Sequence, residues 1–284
     1  MLKMSRAAFL AMAMILLTVG CASVPGPAER IGYADRQAHA HDWRPMTLEA
    51  GRFPLRAYGP APFGTREILT VYLEGDGLAW VTRSRPSTDP TPVKPVGLQL
   101  ALADPGAGAV YLARPCQYIM VSSCRPAYWL GKRFSPEIVE ATAEALDALK
   151  TRYRAQAVLL VGYSGGGAVA TLLAAERDDV VALVTVAGNL DHELWTRHHR
   201  ISPLSGSLNP ADRAPALAAL PQWHFAGAQD DSIPPEVVRA YIERLPRDAS
   251  ATHTVEPAFD HRCCWVEAWP GLISEIRSAL NSGK

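Results

Sequence analysis

Short apolar runs recur along the chain from about residue 69 onward, and most of them are continuous rather than alternating with polar positions. Strands that are buried on both faces have this pattern, which is typical of a parallel sheet. The runs predict strands at Leu69–Leu73, Ala109–Ala113, Ala157–Val161, Val180–Val186, Gln222–Ala226 and Thr252–Val255.

Stretches with helical spacing of apolar residues separate these runs. In the clearest one, Ser135 suits the N-cap, Pro136 suits the first turn, and an apolar stripe continues to about Tyr153. Further helices are predicted at Pro95–Leu102, Gly165–Ala175, Pro235–Leu245 and Trp265–Leu280. Alternating strands and helices predict an α/β fold, with a mostly parallel central sheet and helices on both faces. Antiparallel edge strands are expected within Met46–Tyr58, and no second domain is evident.

The first twenty residues have the composition of a secretory signal peptide. Lys3 and Arg6 precede an apolar run over Ala7–Val19, and Gly20 and Cys21 follow it. This run is short for a membrane span, which needs about 20 residues. We predict a signal peptide over residues 1–20, and an ordinary signal peptide that happens to contain a cysteine is the alternative.

The segment Leu17-Thr18-Val19-Gly20-Cys21 resembles a bacterial lipobox, although Thr18 stands where Leu is usual. This resemblance implies cleavage before Cys21 and a diacylglycerol on its thiol. Ala22 after the cysteine implies sorting to the outer membrane, facing the periplasm. Several acyl chains would anchor the protein stably in the cell envelope.

Residues 21–45 are rich in Ala, Pro and His, which is typical of a tether. His39 and His41 are more simply explained as solvated linker residues than as metal ligands. The remainder, residues 46–284, is long enough for one large domain. The segment at about 188–220 is longer than an ordinary connection and predicts a lid-like insertion over the same sheet edge as the site described below.

Charge and cysteine content narrow the functional classes. The net charge is zero and no basic stripe is present, so nucleic acid is not an expected partner. Cys116, Cys124, Cys263 and Cys264 favour disulfides in an exported protein. Three pairings are possible. Cys116 with Cys124 is preferred because a short loop joins them, which leaves the adjacent pair free or joined to each other. Pairing between the two regions stays open.

A G-x-S-x-G motif, Gly162-Tyr163-Ser164-Gly165-Gly166, lies between a predicted strand and a small-residue helix. A serine on such a sharp turn is crowded by the residues two positions before and after it, and Gly162 and Gly166 leave that room. The turn exposes the Ser164 hydroxyl and places the Gly165 N–H at a helix N-terminus, where it can stabilise an oxyanion. A glycine-rich turn that merely packs closely is the alternative interpretation.

A serine nucleophile needs a base, and the base needs an orienting carboxylate. Asp230 and Asp231 follow the predicted strand Gln222–Ala226, and His261 follows the last predicted strand. His224 and His253 lie inside predicted strands and are better explained as core or edge residues. His192, His198 and His199 lie in the insertion, and their spacing is not that of a zinc-binding helix.

A second backbone donor is expected from the loop Leu73-Glu74-Gly75-Asp76-Gly77, whose glycines allow close approach to a substrate. We assign the N–H of Asp76, with Gly77 in reserve, and a plain tight turn is the alternative. By position this loop resembles the HG-x-G loop of esterases and lipases, with Glu74 where they have His.

From Leu69 to the end, the chain resembles α/β-hydrolases, particularly esterase- or lipase-like ones, in its order of motifs. The pattern Gly-x-x-Asp-x-x-apolar-Pro resembles their acid loop and selects Asp230 over Asp231. The resemblance implies that Ser164 attacks an acyl carbonyl, that His261 takes its proton, and that Asp230 holds His261. It implies no cofactor and no metal.

The expected function is hydrolysis of a carboxylic ester through an acyl-enzyme, with a small acyl compound as substrate. Amide, thioester and acyl-transfer chemistry use the same groups. A binding or scaffold lipoprotein that keeps the fold without activity is the alternative. Aromatic candidates for a substrate pocket, which are equally candidates for the core, are Trp80, Tyr128, Trp129, Trp195 and Trp265. The sequence does not indicate an oligomeric state.

Overall fold

The computed structural model describes residues 24–61 and 65–282 of the 284-residue chain. The predicted signal peptide (1–20) and the predicted lipidation site Cys21 lie outside the described residues. Within those residues, no helix is both long enough and apolar enough to cross a membrane.

Eight strands form the central sheet in the order β1-β2-β6-β3-β7-β8-β9-β10. β1 and β2 are antiparallel to their neighbours, and all pairs from β6 to β10 are parallel. The short β4 and β5 form a separate hairpin. The ten strands are Arg44–Leu48, Leu55–Gly59, Arg66–Leu73, Trp80–Thr82, Arg85–Pro86, Ala109–Leu112, Ala155–Tyr163, Val180–Val186, Gln222–Gly227 and Ala251–Glu256.

Helices cover both faces of this sheet, which confirms the predicted fold class. The α-helices, α1 to α7, are Pro27–His39, Val96–Ala103, Pro136–Tyr153, Gly165–Ala174, His192–His199, Pro235–Ile242 and Trp265–Ser282. Two 3₁₀ helices lie at Pro126–Trp129 and Pro210–Leu217. One core contains buried residues of α3, α4 and α6, and the other contains those of α1, α2 and α7.

The alternation of side chains between the two cores explains the continuous apolar runs. In β3, Leu69, Val71 and Leu73 belong to the core under α3 and α4, whereas Tyr72 belongs to the core under α7. Both sets are fully buried. Because each face of a central strand is covered by helices, every position is selected for apolar character. All six predicted strands are present, with bounds that differ by at most three residues.

The prediction of a tether over residues 21–45 is wrong for most of this segment, because its described residues are largely folded. Residues Pro27–His39 form α1, and Ala34 and Ala38 are fully buried against the sheet. Arg30 is also buried, where its guanidinium donates to the carbonyl oxygens of Asp89 and Thr91. The apolar face of this helix is narrow and made of alanines. A segment of this composition is also typical of a linker, which is why the helix was not predicted.

The segment 188–220 is built from α5 and the second 3₁₀ helix and contains several buried side chains. Asp191 caps α5 by accepting hydrogen bonds from the N–H groups of Glu193 and Leu194, at 3.1 and 3.0 Å. The Asn209 side chain donates to the same Asp191 oxygen, which connects the start of α5 to the start of the second 3₁₀ helix. Its role as a lid stays a prediction.

Both cysteine pairs are bonded in the structure. Cys116 and Cys124, with Cα atoms 5.7 Å apart, close the loop that follows β6. Cys263 and Cys264 are joined to each other in the loop that leads into α7. The preferred pairing from the sequence is therefore present, and the pairing between the two regions is not.

Candidate active site

Ser164 lies on the turn between β7 and α4, at the carboxyl edge of the sheet. Its backbone has φ 52° and ψ −121°, in the region that residues with a side chain rarely adopt. Its N–H donates to Val186 O at 2.9 Å, and its carbonyl oxygen accepts from the N–H groups of Gly167 and Asn189. The turn is thus held from both sides in the strained conformation of a nucleophile elbow.

The two outer glycines of the motif leave room that a side chain would fill. A Cβ on Gly162 would lie closer than 3.0 Å to backbone atoms of Gly166 and Gly167. A Cβ on Gly166 would meet the carbonyl oxygens of Leu73 and Glu74 equally closely. The motif is therefore required by backbone packing between β7, α4 and the end of β3.

Three side chains form a hydrogen-bonded chain at this edge. His261 Nε2 is 3.1 Å from Ser164 Oγ, and His261 Nδ1 is 2.8 Å from Asp230 Oδ2. An ionised carboxylate only accepts hydrogen bonds, so Nδ1 carries the proton and Nε2 is left to accept from the serine hydroxyl. This is the tautomer and direction that a general base requires.

Asp230, not Asp231, holds the histidine. The Asp230 side chain is fully buried, whereas Asp231 is exposed. The second Asp230 oxygen accepts hydrogen bonds from the N–H groups of Ser232 and Ile233, each at 2.8 Å. With one oxygen fixed by its own loop, the other is directed at His261.

The loop that carries His261 packs closely on the loop that carries Asp230. Gln229 N–H donates to Phe259 O at 2.9 Å, and a Cβ on Gly227 would clash with the same carbonyl oxygen. The buried Tyr163 hydroxyl donates to His261 O at 2.9 Å. Burial raises the pKa of Tyr163 well above its usual value, so the hydroxyl keeps its proton and remains a donor.

Of the other candidate histidines, His224 and His199 are hydrogen-bonded elsewhere, and His192 packs against the ring of Phe134. His224 is buried in β9 between Thr185 Oγ1 (2.8 Å) and Gln222 Oε1 (3.2 Å), and burial lowers its pKa to about 3. His192 is buried in α5, where burial also lowers its pKa. His199 Nε2 lies 2.9 Å from Ser232 O. None of the three is hydrogen-bonded to Ser164 in the described structure.

The loop Glu74–Gly77 lies directly against the elbow. A Cβ on Gly75 would be 3.2 Å from the Ser164 Cβ, and a Cβ on Gly165 would clash with the Asp76 carboxylate. Gly77 has φ +64° and would clash with Pro90 O if it carried a side chain. The loop predicted to supply the second backbone donor is thus placed beside Ser164 and the first N–H of α4.

Two arginines that the sequence did not single out hold the Asp76 side chain. Arg133 donates to Asp76 Oδ2 at 2.6 Å, and Arg114 donates to Oδ1 at 3.4 Å. Arg114 and Arg133 are 5% and 7% exposed, so the ion pairs are largely shielded from water. Burial lowers the pKa of Arg114 to about 10, which still leaves it charged at neutral pH. Arg133 also lies over the ring of Trp195 in α5.

Glu74 is a buried carboxyl at the floor of the site. Its Oε1 accepts hydrogen bonds from Gly75 N–H (2.9 Å) and Gly97 N–H (3.2 Å). Burial nevertheless raises the pKa of Glu74 to about 7. Glu74 is thus a buried acid that accepts hydrogen bonds from two backbone N–H groups, and the sequence did not predict these contacts.

A cavity of about 370 Å³ opens above Ser164. Its walls are formed by the Glu74–Gly77 loop, Ser164 and His261, together with Pro92, Val93, Lys94, Val96 and Arg262. None of the five aromatic candidates lines it. Trp129 and Trp265 are buried and donate to Ser87 O and Asp260 O, and Trp195 donates to Ser232 O. Residues of the 188–220 segment are also absent from this cavity.

The described residues contain no group of three or more His, Cys, Asp or Glu side chains arranged to hold a metal ion. His39 ends α1, and the exposed His41 that follows it has Nδ1 3.1 Å from Gln37 O.

Comparison with solved structures places this architecture among known folds. No protein-family model matches the chain, and a search of curated proteins finds no significant match. The 2,6-dihydroxy-pseudo-oxynicotine hydrolase is similar at TM-score 0.63 and 19% identity, over 91% of this chain and 74% of that one. Est1E from Butyrivibrio proteoclasticus is similar at TM-score 0.58 and 14% identity, over 84% of this chain and 99% of that one. A Pyrococcus furiosus esterase is similar at TM-score 0.57 and 13% identity, over 84% of this chain and 90% of that one. The chain has the α/β-hydrolase fold.

Proposed function

We propose that this protein is a serine hydrolase that cleaves carboxylic esters through an acyl-enzyme. The observation that carries the proposal is the hydrogen-bonded chain from Ser164 Oγ through His261 to Asp230. The names of two structural neighbours, a hydrolase and an esterase, agree with this chemistry.

In the proposed mechanism, Ser164 Oγ attacks the ester carbonyl carbon while His261 Nε2 takes the hydroxyl proton. The imidazolium is stabilised by Asp230 and then returns the proton to the leaving alkoxide as the C–O bond breaks. Water, deprotonated by His261, attacks the acyl-enzyme in the second half-reaction. Ser164 regains its proton when the carboxylic acid leaves.

The N–H groups of Gly165 and Asp76 are assigned to the oxyanion, with Gly77 in reserve. Gly165 begins α4, so its N–H is not used within the helix and lies at the positive end of the helix dipole. The Asp76 carboxylate lies next to this position, and a bare negative charge there would oppose an oxyanion. Its pairing with Arg114 and Arg133 offsets that charge.

A fluorophosphonate probe tests the proposal directly, because it reacts only with an activated serine. Residues 22–284 would be expressed in an oxidising compartment, and labelling compared with Ser164→Ala and His261→Ala. We expect labelling of the wild type, none of Ser164→Ala, and hydrolysis of nitrophenyl esters reduced by at least about 10³-fold in either variant. A folded wild-type protein that does not label would favour the non-catalytic binding role.

For the cellular location we propose the bacterial envelope, with the protein held on the outer membrane by a lipid on Cys21. The support is the sequence of the first 22 residues. Metabolic labelling of the full chain with a tagged palmitate, followed by membrane fractionation, tests this. Cys21→Ser should abolish both lipid incorporation and recovery in the membrane fraction.

A further inference from the structure

A second cavity of about 430 Å³ adjoins the one above Ser164. It is a groove between α1, α2 and the start of α7, and it is formed partly by Tyr33, Gln99 and Val266. Lys94, Val96 and Arg262 line both cavities. A substrate bound at Ser164 can therefore extend into the groove, and it must pass Lys94 and Arg262 to do so.

These two residues are cations without an ion-pair partner among the described residues. Both side chains are exposed, and no carboxylate of the described residues lies within the 4.0 Å ion-pair distance of either. Asp260 is adjacent to Arg262 in sequence, but its Oδ1 accepts the backbone N–H groups of Arg262 and Cys263. Lys94 lies on the loop before α2 and Arg262 directly follows His261, so they reach the junction from two different elements.

The acidic groups that line the two cavities form no ion pair with Lys94 or Arg262. Asp76 is already paired with Arg114 and Arg133. Glu74 is buried beneath two backbone N–H groups at the floor of the first cavity. Glu267 lines only the groove and not the cavity at Ser164. Two exposed positive charges without an ion-pair partner beside Ser164 can attract and orient an anionic ligand.

We propose that the substrate is an ester bearing a second, anionic group, a carboxylate, which Lys94 and Arg262 bind at the junction of the two cavities. This inference rests on the proposed esterase activity and narrows its substrate class. In this proposal, Lys94 and Arg262 determine which esters are preferred, whereas Ser164, His261 and Asp230 carry out the reaction.

Two matched substrate pairs test the proposal. The 4-nitrophenyl monoester of adipic acid and its methyl ester differ in a carboxylate on the acyl side of the scissile bond. 4-Acetoxybenzoate and its methyl ester differ in a carboxylate on the alcohol side. The quantity measured is the ratio of kcat/KM for the anionic ester to kcat/KM for its neutral partner. We expect a ratio above 1 for at least one pair, and a lower ratio at 0.5 M salt because ions screen exposed charges.

Lys94→Gln and Arg262→Gln should each lower that ratio about 5- to 20-fold, and Lys94→Arg and Arg262→Lys should restore most of it. Arg213→Gln is the matched control, since Arg213 is exposed and lines neither cavity. It should leave the ratio unchanged.

A ratio at or below 1 for both pairs would overturn the inference, and so would a ratio that neither glutamine variant changes. If the wild type still labels with the fluorophosphonate probe in either case, the esterase proposal stands and only the substrate class is wrong. If the folded wild type neither labels nor hydrolyses any of the four esters, both proposals are wrong.

Discussion

The glycines of the elbow show how strongly single positions constrain this site. A side chain on Gly166 would have to displace the Leu73 and Glu74 carbonyl oxygens, which are held in the central sheet and the adjoining loop. Gly271, in α7, has nothing within 4 Å of an added Cβ. The same substitution at the two positions should therefore have opposite effects.

We expect Gly166→Ala to lower the free energy of unfolding by about 2–4 kcal/mol and to abolish ester hydrolysis, because backbone must move to admit the methyl group. Gly271→Ala should raise stability by about 0.5–1 kcal/mol, since alanine is the better helix former. Urea unfolding followed by circular dichroism measures both. Equal effects of the two substitutions would show that the elbow is not tightly packed.

Glu74 gives the second prediction at the residue scale. Its pKa is about 7 in the folded protein and about 4.5 when exposed. The folded state thus binds the Glu74 proton more tightly, and this contribution to stability is full below pH 4.5 and falls as the pH rises to about 7. Glu74→Gln keeps an oxygen for the Gly75 and Gly97 N–H groups and has no charge to bury.

The stability of Glu74→Gln relative to wild type should therefore increase by roughly 2–3 kcal/mol between pH 5 and pH 8. Urea unfolding of both proteins at several pH values measures the difference in their free energies of unfolding. The contributions of the other titrating groups are the same in both proteins and cancel in this difference. Glu275→Gln, on an exposed position of α7, controls for loss of a surface carboxylate. A difference that is constant with pH would contradict the buried-acid interpretation.

At this scale, the sequence predicted that Ser164, Asp230 and His261 share one edge of the sheet, but it did not predict the contacts around them. Ser164, Asp230 and His261 each follow a strand end within a few residues, and the local motif fixes their place on the sheet edge. Arg114 and Arg133 act on Asp76 from 38 and 57 positions away. Such contacts depend on how loops fold over one another, and no spacing in the sequence records them.

At the scale of elements, the Glu74–Gly77 loop is tied to the rest of the molecule through Asp76. Arg133 connects it to Trp195 of α5, and Trp195 Nε1 donates to Ser232 O in the loop of Asp230. The Glu74–Gly77 loop, the 188–220 segment and the loop of Asp230 are therefore linked through the side chains of Arg133 and Trp195. Through this linkage the segment contacts two of the loops beside Ser164, although it does not line the cavity.

Asp76→Asn should break this link, because it leaves two buried guanidinium groups without a carboxylate. We expect a loss of about 3 kcal/mol in the free energy of unfolding and a lower kcat. Glu243→Gln removes an exposed i,i+4 partner of Arg239 and should lose no more than about 0.5 kcal/mol. Urea unfolding and nitrophenyl ester kinetics measure the two effects. A loss in Asp76→Asn as small as that in Glu243→Gln would show that the arginines are adequately solvated.

The elements that sequence patterns predicted are those with strong periodicity or continuous burial. Five of the six predicted strands and all five predicted helices contribute buried apolar residues to a core, whereas the predicted edge strand β10 has no buried residue. The β4–β5 hairpin was missed, since Trp80 and its neighbours are largely exposed and leave no periodic signal. Helix α1 was missed because alanine, proline and histidine are as common in linkers as in a helix that buries only a few small residues.

On the scale of the whole molecule, α1 extends the domain beyond the expected start at residue 46. It packs on the core shared by α2 and α7, and it forms one wall of the groove beside the site. The folded domain therefore starts close in sequence to Cys21, the proposed site of the lipid. If Cys21 is lipidated, only a few residues separate the membrane surface from α1, so the orientation of the groove relative to the membrane would be restricted.

The packing of α1 can be tested by placing the same charge on its two faces. Ala38 is fully buried, whereas Ala28 is exposed in the first turn. Ala38→Asp should lower the free energy of unfolding by about 3 kcal/mol or detach the helix, since an unpaired carboxylate cannot remain in an apolar core. Ala28→Asp should be neutral or slightly stabilising, because a negative charge near a helix N-terminus is favourable. Limited proteolysis distinguishes the two proteins by rapid cleavage within residues 27–43 of Ala38→Asp. Equal resistance to protease and equal stability would mean that α1 does not pack on the domain, and that residues 21–45 form a tether after all.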